Sequence, residues 1–394
     1  RGWCRFERLA RVFAFSEDSR MLLVRREDTV IEMGSAEWLF DPVGEGCFTV
    51  EQDKEMIGRM AKAILQKKLE ILLRDKRMAE YRRVMSLRPT ILRGLPVDPY
   101  TVVAPNISVP NKAGTERFLR LFHLTSPTKA VDGTTPLHFA ACSGDKALAQ
   151  ELLRSKADPL QTEARKVPQF LVMRGATPLH LAASGGHMDT VITLLDARAE
   201  INARDAQGWI GLHYAALGGW CDLIETLFDR EADLGVKDKI GTTALIIAVL
   251  RGNSDAVRTL LERGASTALS PDGLGPMHVA CQFGASVEVV HLLLDARVSP
   301  ETHFRPRMRM GGWLWLLHMA LLAGYYTGNR GFRQLVGRHM WGATPLIASV
   351  IFGNHAVTAA LVDRGADTMA RTEGGYTAAQ IAVAFGFNYA GGAE

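Results

Sequence analysis

Over the last two thirds of the chain, apolar residues recur in paired bursts. A small-residue burst such as Leu137 to Ala141 is followed by a polar break at a glycine. An aliphatic burst then follows, as in Val191, Leu194 and Leu195, or Val257, Leu260 and Leu261. Spacings of three and four place such residues on one stripe of a helix, so each pair of bursts predicts a helical hairpin. Before residue 131 the pattern differs. Cys4 to Phe15 predicts a short helix and Met21 to Val24 a strand. From about Glu51 to Met85 a long helix is predicted, with Met56, Met60, Ile64, Leu65, Leu69, Leu72 and Leu73 on one face. Leu87 to Val109 is proline-rich and reads as a linker.

The hairpins repeat in register. Thr135-Pro-Leu-His138, Thr177-Pro-Leu-His180, Ile210-Gly-Leu-His213 and Thr243-Ala-Leu-Ile246 are near-copies, the last three in steps of 33. The frame continues through Gly275 to His278, Trp315 to His318, Thr344 to Ile347 and Thr377 to Gln380, giving eight units. Thr at the N-cap and Pro at the first helical position start each first helix: the hydroxyl accepts from an orphan N–H, and Pro has none to satisfy. Gly144, Gly186, Gly219, Gly252, Gly284, Gly324, Gly353 and Gly386 stand where that helix should end in a left-handed residue. At the end of the second helix Gly264 and Gly365 fill the equivalent cap, but Lys156, Arg198, Glu231 and Arg297 replace glycine elsewhere. Each replacement costs about 1 kcal/mol. Three spacings depart from the period: 42 residues from His138 to His180, 40 from His278 to His318, and 29 from His318 to Ile347. The surplus at Thr162 to Met173 and Thr302 to Gly312 reads as loops at repeat junctions.

These residues resemble the ankyrin repeat, whose period is about 33 and whose hallmark is Thr-Pro-Leu-His. The resemblance implies an all-α solenoid of about eight helix-turn-helix units, preceded by a small mixed region with a long helix. It divides the chain into a partial α/β-like segment at 1–50, an amphipathic helix region at 51–95, a proline-rich linker or cap at 96–130 and the repeats at 131–394. It also implies protein recognition rather than catalysis, through the hairpin tips and the exposed side of the first helices, which line a concave face. On that face, where polar residues belong, stand Trp209, Leu217, Ile240, Leu250, Leu274, Phe283, Trp341, Ile351 and Phe352. Apolar residues collected on a surface mark a binding site, with Trp prominent among hot spots.

A second, smaller resemblance sits at the start. Trp3-Cys4-Arg5-Phe6-Glu7 is similar to the Trp-Cys-x-x-Glu motif of Toll/interleukin-1-receptor-like domains, and Glu7 matches the catalytic glutamate of their NAD-cleaving members. It carries the alternative reading, an ankyrin arm on a larger enzyme or signalling protein. The chain opens on Arg1, which leaves room for sequence upstream.

Composition narrows the rest. A net charge of +4 over 394 residues gives no reason to expect a nucleic-acid partner. Five scattered cysteines without a Cys-x-x-Cys pair predict reduced thiols in a cytoplasmic protein. The histidines at 138, 180, 213, 278 and 318 come one per repeat, too far apart to share an ion, and predict structural hydrogen bonds rather than a metal site. No cofactor is expected. The basic run Lys62, Lys67, Lys68, Arg74, Lys76, Arg77, Arg82 and Arg83, interspersed with carboxylates, reads as a solvated helix face, with an acidic partner or anionic lipid as the other use. Arg305, Arg307 and Arg309 read as an exposed insertion. The most apolar run, Trp313 to Tyr326, is too short to span a bilayer. The expected protein is a monomeric scaffold or adaptor with a protein partner and no membrane span.

Overall fold

A computed structural model describes residues 21–26, 29–33, 51–102, 114–131, 133–163, 174–239, 241–269, 275–304 and 340–384. Two short strands, β1 Met21–Arg26 and β2 Thr29–Met33, pair with each other, the first covering the predicted Met21 to Val24. The predicted helix at Cys4 to Phe15 lies outside the described residues. The remainder is helical and divides after Gly218 into two compact units.

In the N-terminal unit, α1 (Glu51–Arg74) and α2 (Met78–Ile91) pack as a hairpin. The long helix expected to reach Met85 is therefore two helices. The chain turns at Lys76, whose φ of 56° is left-handed and closes α1. The proline-rich linker expected from Leu87 also starts late, because α2 runs through Pro89. Pro89 has no N–H to give to the carbonyl of Met85, and that carbonyl instead accepts from Arg88 Nε at 2.7 Å. The buried face of α1, Ile57, Ala61, Leu65, Leu69 and Leu72, is fully enclosed, whereas Met56 and Met60 lie outside it. Of the basic run, Lys67 and Arg77 are exposed and pair with Glu70 and Glu80 along the helix. Arg82 departs from the expected solvated face: it is 7% exposed.

Next come α3 (Thr115–Leu121), α4 (Pro136–Ser143), α5 (Lys146–Arg154), α6 (Pro178–Ser184), α7 (Met188–Asp196) and α8 (Gly211–Gly218). The first helices α4, α6 and α8 stack side by side, and the second helices α5 and α7 form a parallel layer behind them. The array does not begin where the sequence motif begins. Helix α2 packs on α4 as α4 packs on α6, and α3 packs on α5, so these helices occupy a leading repeat without its signature. Arg82 holds this cap together: its Nε and Nη2 donate to the carbonyls of Phe122 and His123, at 2.8 and 3.1 Å, beside Tyr81 Oη on Leu121 at 3.1 Å. These are the orphan carbonyls at the end of α3. Its other end is capped by Glu151 of α5, which accepts from the Thr115 N–H and hydroxyl.

The C-terminal unit repeats the arrangement, with first helices α10 (Ala244–Arg251), α12 (Pro276–Phe283), α14 (Pro345–Ile351) and α16 (Ala378–Ala384). Its second helices are α9 (Cys221–Asp229), α11 (Ser254–Glu262), α13 (Val287–Asp295) and α15 (His355–Asp363). Here the expected register is corrected. Helix α12 packs directly on α14, and α13 on α15, so the stack passes from the fifth frame position to the seventh. The sixth, with His318, falls in residues 305–339, outside the described residues. The backbone shows why nothing is missing from the stack. The Phe304 N–H donates to Ala343 O at 2.9 Å and the Gly342 N–H to Phe304 O at 2.8 Å, so residues 305–339 leave and return at one point. The first junction is built alike: Glu163 N–H donates to Ala176 O and Gly175 N–H to Glu163 O, closing over residues 164–173. Both surpluses are insertions into a hairpin.

The cap assignments hold. Gly144, Gly186, Gly219, Gly252, Gly284 and Gly353 all have φ between 65° and 71°, while Gly324 and Gly386 lie outside the described residues. Lys156, Arg198, Glu231 and Arg297 sit at φ of 65°, 66°, 68° and 61°, left-handed without glycine.

Candidate partner-binding face

The repeat histidines are structural. The Thr135 N–H and hydroxyl lie 3.3 and 2.6 Å from His138 Nδ1, so Nδ1 accepts and Nε2–H donates to Ala176 O at 3.2 Å. His180 repeats this with Thr177, sending Nε2–H to Ala203 O at 2.9 Å. Each ring thereby ties the start of its helix to the next hairpin. In the fifth unit Gly275 stands in place of Thr, and His278 keeps its bond to Ala343 O at 3.3 Å while its buried Nδ1 has no partner. Burial holds the imidazoles of His138 and His278 down to about 4. His187 is half-buried as a residue, but its ring, bonded to Cys142 O, is shielded enough to be held down to about 4, with Arg93 adding to the shift. Such rings are neutral at physiological pH. Among the described residues no group of His, Cys, Asp or Glu is arranged to hold a metal ion.

The thiols follow the same physics. Burial pushes Cys142 up to about 11 and raises Cys281 and Cys221. None of the three is an activated nucleophile. Cys4 and Cys47 lie outside the described residues, as do Trp3 to Glu7.

The nine residues expected on the binding face separate into four groups. Ile240 and Leu274 lie outside the described residues. Ile351, Leu217 and Phe352 are 1%, 8% and 9% exposed, so they face protein rather than open solvent, contrary to expectation. Trp209 is half-buried and occupied with its own hairpin: its ring stacks on His213 at 5.9 Å and meets Tyr214 edge-on at 5.2 Å. Its backbone is clamped by Asp205, whose carboxylate accepts from the Gln207 and Trp209 N–H groups and from Tyr214 Oη at 2.8 Å. That leaves Leu250, 40% exposed, with Phe283 and Trp341, both half-buried. All three belong to the C-terminal unit, Leu250 and Phe283 near the ends of adjacent first helices and Trp341 beside the second insertion. Sequence reasoning passed over Leu269, 39% exposed on a hairpin of the same unit, because it falls between frame positions.

The Thr-capped first helix, the glycine or forced left-handed cap and the histidine bonded to the following hairpin recur together. The chain carries ankyrin repeats. The family model for ankyrin repeats (3 copies) matches residues 112–205 and 212–303. Its first match begins at 112, so it takes in α3, the helix that caps the array without the repeat signature. No curated protein matches the chain. Ankyrin repeats serve in general as protein-interaction modules. No helix among the described residues is long and apolar enough to cross a membrane.

Proposed function

We propose that this chain is a scaffold or adaptor whose ankyrin repeats bind a protein partner through the exposed side of the first helices of the C-terminal unit. The observation that carries the reading is Leu250. It stands seven residues after the capping Thr243, and at 40% exposure it spreads apolar surface into solvent on a helix that packs against the one ending at Phe283. A partner that takes this surface out of water gains roughly 1.5–3 kcal/mol for each large side chain fully buried. The Trp209 ring, already engaged with His213 and Tyr214, contributes rigidity to its hairpin and is a secondary contact. The reading places the chain in the cytoplasm, where five scattered cysteines without a Cys-x-x-Cys pair stay reduced. The chain acts as a monomer without cofactor, metal or nucleic acid, and carries no reaction of its own.

The test is affinity purification with the intact chain and with Leu250→Asp, a change on the solvent side of α10. Partners lost with Leu250→Asp while the melting temperature holds support the reading. Partners retained in full overturn the assignment of this face.

A further inference from the structure

Charge divides the C-terminal unit along its two helical layers. Among the described residues, the second helices and the loops that follow them, 220–235, 254–269, 287–302 and 355–369, hold twelve carboxylates against five arginines, a balance of −7. The hairpins and first helices, 236–239, 241–253, 275–286, 303–304, 340–354 and 370–384, hold four bases against two carboxylates, a balance of +2. Three arginines of the second layer are engaged within it. Arg258 pairs with Glu288 at 2.7 Å, Arg364 with Asp295 at 2.9 Å, and Arg263 reaches Glu225 and Asp229 at 3.8 and 3.5 Å, each from one repeat to a neighbour.

The positive charge of the first layer gathers at the two ends of α10. Lys237 and Lys239 are exposed on the hairpin that leads into this helix, and Asp238 between them is taken up by the backbone, its carboxylate accepting from the Thr242 N–H at 2.7 Å. Arg251 ends the helix next to Leu250. Arg371, the fourth base, serves its own hairpin by donating to Gly375 O at 2.7 Å. Apolar surface opens at the same helix: seven positions after the cap, Leu250 is 40% exposed, whereas Gln282 of α12 and Ile351 of α14 are 4% and 1% exposed. Helix α10 has eight residues and is about 12 Å long, so about four to five residues of extended chain connect its lysine end to Leu250.

We propose that the segment taken up by this face is acidic: a stretch of a partner protein that sets carboxylates against Lys237, Lys239 and Arg251, and one large apolar side chain against Leu250. The inference rests on the partner-binding reading above and supplies the chemical class of the occupant. The two layers act together. The positive hairpin attracts an acidic segment, and the negative second-helix layer repels it, so the segment is steered to one side of the unit. A basic segment would gather on the second-helix layer instead, away from Leu250. Because the lysines are exposed, their pull reaches only about 10 Å at 0.1 M salt, so the apolar anchor holds what the charges select.

The experiment pans the intact chain against two random libraries of short peptides, one fixed with Asp and Glu and the other with Lys and Arg, both varied through Leu, Phe and Trp. The expected result is binders from the acidic library that bind at least about tenfold more weakly when Lys237→Glu and Lys239→Glu are introduced together. Lys237→Gln with Lys239→Gln, which removes charge and adds none, gives an intermediate loss. Glu262→Lys on the second-helix layer does not weaken binding, and Leu250→Asp abolishes it, each variant keeping its melting temperature. Binders from the basic library that are lost with Leu250→Asp and indifferent to both lysine pairs overturn the acidic class and leave the partner face standing. Binders that survive Leu250→Asp overturn the face itself. The proposal also fails if neither library yields a binder, or if vesicles of phosphatidylcholine and phosphatidylserine take up the chain in place of peptide and release it on the same lysine reversal.

Discussion

Arg198 illustrates what single residues contribute to this array. It holds φ at 66° at the end of α7, where a β-carbon crowds its own backbone, and the strain is tolerated because the Arg198 N–H still closes on Leu195 O at 2.9 Å. Replacing it with glycine removes the strain and keeps the bond. Arg198→Gly is therefore expected to stabilise the protein by about 1 kcal/mol, read as a higher midpoint in urea with unchanged slope. A midpoint that stays level or drops contradicts the strain argument. Not every left-handed position is equivalent. At Gly144 a β-carbon would sit 2.4 Å from His187 Nδ1, so this glycine is required by packing as well as by backbone.

At the scale of elements, the leading pair α2 and α3 shows how a repeat can lose its sequence signature and keep its place. It has no Thr-Pro-Leu-His, and its second helix ends without glycine, at His123 with φ of 51°. What replaces the signature is side-chain capping by Tyr81 and Arg82 from the neighbouring helix. Arg82→Met keeps the stem and removes both donors, leaving two helix-terminal carbonyls unsatisfied. The expected cost is about 2–3 kcal/mol, measured by urea unfolding of the full chain. A loss below about 0.5 kcal/mol would mean that water replaces the guanidinium, which the burial of Arg82 argues against.

At the scale of the whole molecule, the neutral buried histidines make the fold acid-sensitive. His138, His187 and His278 are held to about 4 in the folded state, against an ordinary value of 6.5, chiefly by burial. Between pH 6.5 and 4 the unfolded chain binds more protons than the folded one, so stability is complete above about 6.5 and falls as pH drops towards 4. The loss amounts to roughly 3 kcal/mol for each histidine by pH 4. The melting temperature should therefore fall steeply across this window, and His278→Gln, which removes one of the three titrations, should flatten the slope. An unchanged slope would mean that His278 is not buried neutral.

How much of this was legible in the sequence differs from feature to feature. The helical pairs were legible because each repeat spends its motif on local chemistry: Thr135 caps His138 three residues away, and Gly252 bends the chain where it stands. The leading repeat was not, because Arg82 finds its carbonyls about forty residues downstream and Pro89 reads as a break until Arg88 is seen to satisfy Met85. Nor was the neighbour of α12, since the sequence offers a frame position at Trp315 to His318 before the one at Thr344, and only packing shows α14 against α12.

The sequence by itself thus determined the repeat, its period and its caps, which depend on interactions within a few residues of one another, and the local half of the histidine bonding, Thr135 to His138 and Thr177 to His180. Only the tertiary structure decided which helices are neighbours: that α2 and α3 join the array, that α14 follows α12, and that Leu250 is open where Gln282 and Ile351 are closed. Burial belongs to the stack and not to the segment, since each hairpin exposes the same register and its neighbours determine whether that register meets water.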